Sequence, residues 1–486
     1  MLPPLIQRPR RSPPNRRRER GITLALVAVA IFSIVAMAGL SIDVGTLYQA
    51  SAEAQRAADT AALAGARMIS MSGLTGDPNN PSTWQQICGG TSSPATLAAA
   101  AVAQQNTVGG SSLPITAITV TYSAGSSIGS TFTDCSLLAP LSGFGVNPVV
   151  TVQVVQSNLP TYFSRIWGRT GSSVGATASA EAFNPSNSSS YASGGTVVPV
   201  QPRCVKPWMV PNFDPVGGCT TNCNSFVVPA TGVIQSPGIL ADSGFGVIGE
   251  KFWLLPDCKP TGPPCTLLST ITPIQANVGS PRMPNLEYLP GQASYPSTAV
   301  PSDGTDACSA ATADYYAEAI AGCDQSTQYQ CGKTLQNVVD LSENPELADT
   351  TNGAQCLIHE GNTTSPVPSG QDTLLPVGSK TPTFPFQIQV GSSNPLLSAG
   401  VGSTDLITSS TSIVSLPIYD SNAVTSFPPG NTSVTVIGFL QVFINRVHSN
   451  GEVQVTVMNV SGCGNAASGT ALTGTSPVPV RLITPP

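Results

Sequence analysis

The sequence predicts an α+β protein: one long N-terminal helix, apolar enough in its first half to cross a membrane, followed by β-rich, disulfide-containing exported domains. Three observations carry that expectation. Residues 22–42 hold no charged side chain over 21 positions. Residues 44–69 continue with strong helix formers and no proline. Beyond them, short β-branched segments alternate with Gly, Pro, Ser and Asn, and all 12 cysteines lie in this part of the chain.

The bulk composition fits that division. A chain of 486 residues has room for several cores. Only 9% of it is Asp, Glu, Lys or Arg, against about 25% in an ordinary soluble domain. Seven of the 20 basic residues are Arg8, Arg10, Arg11, Arg16, Arg17, Arg18 and Arg20, which leaves 13 basic against 25 acidic residues after position 20. A nucleic-acid binder needs a cationic surface on its folded part, and this chain has the reverse.

The basic stretch 1–20 has a better use beside a membrane. A 21-residue helix covers about 30 Å, the thickness of the hydrocarbon layer. Positive residues on its N-terminal side place residues 1–20 in the cytoplasm and 44–486 outside, with Arg17 and Arg18 placed to meet anionic lipid. A cleaved signal peptide has the same basic-then-apolar order. Its apolar core is usually shorter, however, and a continuing helix does not usually follow it.

The helix pattern runs on through VGTLYQASAEAQRAADTAALAGARMI, residues 44–69. One stripe holds Val44, Leu47, Ala54, Ala58, Ala61, Gly65 and Met68; the other side holds Gln49, Glu53, Gln55, Arg56, Asp59 and Thr60. Small residues permit close backbone approach. The stripe therefore suits either a partner helix, including self-association, or the domain that follows.

The N-terminal residues carry a family pattern. RRERG at 17–21, AGLSIDVG at 38–45 and LYQASAEAQRAADTAALAGA at 47–66 together resemble the N-terminal domain of TadG-like and TadE-like Flp pilus-assembly proteins. Asp43 matches the juxtamembrane acid of that family and Tyr48 its aromatic position. Gln55, Ala57, Ala58, Asp59 and Ala61 match its Q-x-A-A-D-x-A signature. Pilin-like members carry a glutamate five residues after the glycine, where this chain has Leu26, so the resemblance implies an anchored accessory role rather than a subunit cut after Gly21. It also implies a bacterial cytoplasmic membrane with the main body in the periplasm.

The exported part divides by composition. Residues 70–183 form a first α+β region, with a possible helix at 95–105 and strands at 115–122, 149–156 and 173–183. In the last strand Val174, Ala176, Ala178, Ala180 and Ala182 share one face. Aromatics at 160–168 just before it again resemble TadG-like proteins. A Ser/Asn/Gly linker occupies 184–195. Residues 196–378 read as an irregular Cys/Pro-rich region containing Trp208 and Trp253 as core aromatics, with one short helix at 309–321. Strands at 384–390, 411–420, 432–448 and 452–460 form a β-rich C-terminal domain, 379–464, for which a sandwich is the expectation; 465–486 reads as a flexible tail.

The 12 cysteines favour disulfides in an exported compartment, with local bridges expected within 204–265 and 308–356. The competing reading is a metal site at Cys219 and Cys223, which lacks the paired spacing and a nearby histidine. Two G-x-S-x-G strings, Gly125–Gly129 and Gly171–Gly175, lie in turn-rich sequence rather than at a strand-to-helix elbow. Only His359 and His448 exist as histidine bases, and His359-Glu360 reads as a solvated pair. Some TadG-like proteins hold an insert with a D-x-S-x-S metal motif; Asp242–Gly246 lacks its serines. No catalytic, cofactor-binding or metal residue is assigned.

The functional expectation is a non-catalytic, single-pass membrane component that assists assembly or anchoring of a Flp/Tad-type pilus or a related secretion system. Its expected partners are other assembly proteins and membrane lipid, with no cofactor and no nucleic acid. The alternative is a membrane-anchored exported protein for adhesion or ligand binding. An exported hydrolase has only the two serine strings behind it.

Overall fold

Helix α1 runs unbroken over Arg16–Met71, 56 residues, or about 84 Å at the helical rise. It belongs to a computed structural model that describes residues 16–76, 80–125, 131–138, 144, 147–168, 171–186, 198–216, 225–240, 246–256, 285–291, 295–301, 306–339, 347–361, 369–376, 384–421, 432–449, 451–464 and 469–484. Helices α2 (Pro81–Cys88) and α3 (Pro94–Gln105) follow, each opening with proline at a position where no intrahelical N–H is needed. A small hairpin, β1 (Thr107–Val108) with β2 (Ser111–Ser112), leads into β3 (Ile118–Ala124), β4 (Pro148–Leu159) and β5 (Ser172–Ala182).

These three long strands pair antiparallel, and the second half of α1 lies with α3 across one face of their sheet. In β5 the alternation of burial holds only to Thr177. Ser179 and Glu181, on the face expected to meet solvent, are also buried. Beside them lies a strand from the far end of the chain: β18 (Val480–Ile483) pairs antiparallel with residues 179–182 and completes the order β18-β5-β4-β3. Residues 469–484, the described part of the expected flexible tail 465–486, are thus not a loose tail. Leu472–Gly474 forms a second strand there, β17, parallel to β6 (Val200–Pro202).

Between β5 and β18 the chain builds a different body. Its strands are β7 (Trp208–Pro211), β8 (Lys251–Pro256), β9 (Asn285–Pro290), β10 (Thr334–Val339), β14 (Ile413–Tyr419), β15 (Thr432–Val447) and β16 (Val453–Gly462). Going around, β15 pairs with β14, β14 with β7, β7 with β9, β9 with β8, β8 with β16, and β16 back with β15. That circuit is a closed six-stranded barrel, which corrects the expected sandwich. β10 extends it along the start of β15. Register shifts along β15 bend this 16-residue strand so that it serves several partners.

The region 196–378, read from sequence as irregular, supplies four of these strands. β7, for instance, is buried on both faces, so it shows no period-two pattern, and its proline sits at the strand end. Of the expected strand 384–390, only Ile388–Gln389 is one: β12, flanked by β11 (Thr373–Leu374) and β13 (Leu406–Ile407) in a small sheet. The expected helix 309–321 is two, α4 (Asp306–Ala311) and α5 (Tyr315–Ala321). Asp314 breaks them by accepting the N–H groups of Tyr316 at 2.7 Å and Ala317 at 3.1 Å as the cap of α5. Helix α6 (Leu347–Ile358) packs on both and touches β15.

Four disulfides lie among the described residues: Cys88–Cys135, Cys204–Cys323, Cys308–Cys356 and Cys331–Cys463. The 308–356 bridge is local, as expected. Cys204 is not bridged within 204–265; barrel closure carries it to the loop after α5, 119 residues away. Cys219, Cys223, Cys258, Cys265 and most of the expected linker 184–195 lie outside the described residues.

Candidate membrane and assembly interface

Among residues 22–42 every residue is exposed except Ala36 and Gly39. Leu24, Phe32, Ile34 and Met37 present apolar surface on all sides of the helix. A helix apolar all round, and left uncovered by the other described residues over most of these positions, is consistent with single-pass anchoring in a membrane. Its two serines are satisfied within the helix: Ser33 donates to the Val29 carbonyl at 2.8 Å and Ser41 to Met37 at 2.9 Å. This is the only described helix of sufficient length and apolarity to cross a bilayer.

The exposed half ends at a clasp. Asp43, the first charge after the apolar run, accepts three consecutive backbone N–H groups from the loop between β4 and β5. Tyr162 donates to Oδ1 at 2.9 Å, Ser164 to Oδ2 at 2.7 Å, and Phe163 to both oxygens at 3.3 and 3.1 Å. Burial works to raise the Asp43 pKa, but the donors on Ser164, Tyr162 and Phe163 outweigh it and hold the carboxyl below its ordinary value. One turn earlier, Gly39 lies under Phe163. A Cβ at that position would stand 2.6 Å from the ring and 2.9 Å from the Phe163 Cβ, so only glycine lets loop and helix meet. The sequence marked Asp43 as a juxtamembrane acid; it gave no sign of the loop that Asp43 holds.

Above the clasp the small-residue stripe is used up inside the chain. Ala54, Ala58 and Ala61 are wholly buried, as are Ala57, Ala62 and Ala66, which were not assigned to it; Val44, which was, is exposed. A Cβ on Gly65 would meet Val150 at 3.0 Å, the Ala95 carbonyl at 3.4 Å and the Ala99 methyl at 3.4 Å. Of the two occupants open for this stripe, the protein's own sheet and α3 fill it. A partner helix at these three alanines would have to displace them. The polar side is engaged too: Glu53 accepts from the Gly109 N–H at 2.8 Å and from Gln49 at 2.9 Å.

The top of α1 is fixed to the barrel. Ser70 donates to the Val478 carbonyl at 2.5 Å, Asn459 donates to the Ser70 carbonyl at 2.6 Å, and Asn184 bridges Thr75 and the Val460 carbonyl at 3.1 Å each. An ion pair between the half-buried Arg481 and the buried Glu181, Nε to Oε1 at 2.7 Å, ties β18 to β5. No sequence pattern links positions 300 residues apart.

The described residues weighed for chemistry lie at several places in the fold. Ser173 lies within β5, not at a strand-to-helix turn, while residues 126–130 and 241–245 lie outside the described residues. His359 and Glu360 are buried, not solvated; the Val447 N–H binds the Glu360 carboxylate at 2.8 Å. Burial raises the Glu360 pKa to about 7 against the opposing pull of that N–H and of Arg446. Trp208 is wholly buried beside Tyr288, and Trp253 lies against His448 with ring centres 4.5 Å apart. Among the described residues no group of three or more His, Cys, Asp or Glu is placed to hold a metal ion.

Two family models match the chain. A TadE/G-like Flp pilus-assembly model matches residues 21–68, which is α1 from the apolar run to near its end. A Tad-like Flp pilus-assembly model matches residues 79–180, which covers α2, α3 and the strands on which α1 docks. Together they span less than a third of the chain and leave the barrel unmatched. No curated protein and no solved structure matches it.

Proposed function

We propose that this protein is a non-catalytic component of a Flp/Tad-type pilus or a related secretion system, anchored by residues 22–42 and holding its sheet and barrel outside the cytoplasmic membrane. The observation that carries the reading is the coincidence of the two family matches with one structural module: anchor helix, α3 and the sheet beneath them. The basic residues before Gly21 support a cytoplasmic N-terminus, and the disulfides suit an oxidising compartment. In this reading assembly partners approach through exposed surface, such as the apolar half of α1 and the outer side of α3 at Leu97.

The test is a photocrosslinker at Tyr48 or Leu97, both exposed, in cells that make pili, combined with deletion of the gene. Capture of pilus-assembly proteins and loss of pili support the proposal. Normal pili with no assembly partner captured would sink it and favour the adhesion or ligand-binding alternative.

A further inference from the structure

We infer that the loop after β4, residues 160–165, is a second membrane contact, seated in the lipid headgroup layer on the side of the main body. This rests on the reading of residues 22–42 as a bilayer span. Three independent features of the clasp support it.

Height comes first. Phe163 packs on Gly39, which lies three residues, about 4.5 Å, inside the end of the apolar run at Ile42. If the run fills the hydrocarbon layer, the loop stands at its edge. Backbone polarity comes second. A loop at that depth needs its N–H groups satisfied by protein, and those of Tyr162, Phe163 and Ser164 all end on Asp43. The same bonds satisfy the carboxylate, the only acidic group at this level of the helix. Surface chemistry is the third feature. Tyr162 is 60% exposed beside the helix, Phe163 is half-buried, and Arg165 is exposed. An aromatic residue with a polar tip suits the zone between acyl chain and headgroup, and an adjacent cation suits phosphate. The bilayer is thereby gripped at two points of one rigid unit, which fixes the angle at which the sheet stands on the membrane.

The experiment uses the full chain in nanodiscs of phosphatidylcholine and phosphatidylglycerol, some with acyl chains brominated close to the headgroup and some near the bilayer centre. Three single variants, Tyr162→Trp, Phe32→Trp and Tyr315→Trp, each place a tryptophan at an exposed site, and the wild-type emission is subtracted. Headgroup-proximal bromine should remove about half or more of the emission added at position 162, centre bromine should quench position 32, and position 315 should be untouched. Quenching at 32 with none at 162 would overturn the inference and leave the anchor standing. Quenching at neither would overturn both.

Discussion

At the scale of single residues, the clasp and one buried acid make the clearest demands. Asp43→Asn keeps the size of the side chain but replaces one acceptor oxygen with a donor. Hydrogen exchange at the amides of Tyr162, Phe163 and Ser164 should then quicken, while amides in β4 and β5 remain protected. Because the Asp43 pKa is depressed in the folded protein, the clasp is at full strength at neutral pH and is lost only as pH falls through that depressed value. Glu250 behaves in the opposite sense. Burial, then the charge and hydrogen bond of Asp214, raise its pKa from 4.5 to about 9. The folded state therefore holds a proton that the unfolded state releases, and stability declines as pH rises from about 4.5 to about 9. Glu250→Gln should be more stable than wild type at pH 8 and should flatten that part of the profile, as read by denaturant unfolding.

At the scale of elements, α1 meets β4 and α3 closely at Gly65. Gly65→Ala places a methyl 3.0 Å from the Val150 side chain, which has to give by a few tenths of an ångström. Gly65→Val pushes further atoms into a closed site and should cost about 1–3 kcal/mol, measured as a shift in the chemical unfolding midpoint. The same reasoning governs Ala54, Ala58 and Ala61. Bulky residues there should loosen the helix from its own sheet, so any loss of assembly in such variants would report on folding before it reported on a partner. An exposed site such as Leu97 tests partnership without that confusion.

The whole molecule is held by contacts between distant parts of the chain. β18 returns after the barrel to close the edge of the first sheet, and its Arg481 neutralises a carboxylate, Glu181, that is 0% exposed. Arg481→Met should remove the cation bonded to that buried carboxylate at a cost of about 3 kcal/mol, the low end for a buried pair because the arginine is partly exposed. The expected signs are a lower unfolding midpoint and faster proteolysis of the α1–β5 layer. Adding Glu181→Gln should recover part of the loss. Reduction of the disulfides acts at the same scale. Opening the Cys331–Cys463 bridge, which spans 132 residues, should remove roughly 2–4 kcal/mol.

The sequence by itself determined whatever depends on neighbours along the chain. Twenty-one uncharged residues and a proline-free continuation specify one helix, because helix hydrogen bonds are local and its apolar length can be counted. The strands at 149–156 and 173–183 were legible for the same reason: a half-buried strand writes its period into consecutive residues. Tertiary structure alone decided the rest. The barrel strands β14, β15 and β16 were legible, but short strands such as β7 are buried on both faces and leave no alternation to read, so the closure of the barrel was not. Cys204 found Cys323, Asp43 found residues 162–164 and Glu181 found Arg481 only because folding brought them together. The alanines of α1 were legible as a close-packing surface, but small side chains state only that something approaches. The identity of that neighbour, the protein's own sheet and α3, is set by the path of the chain in space.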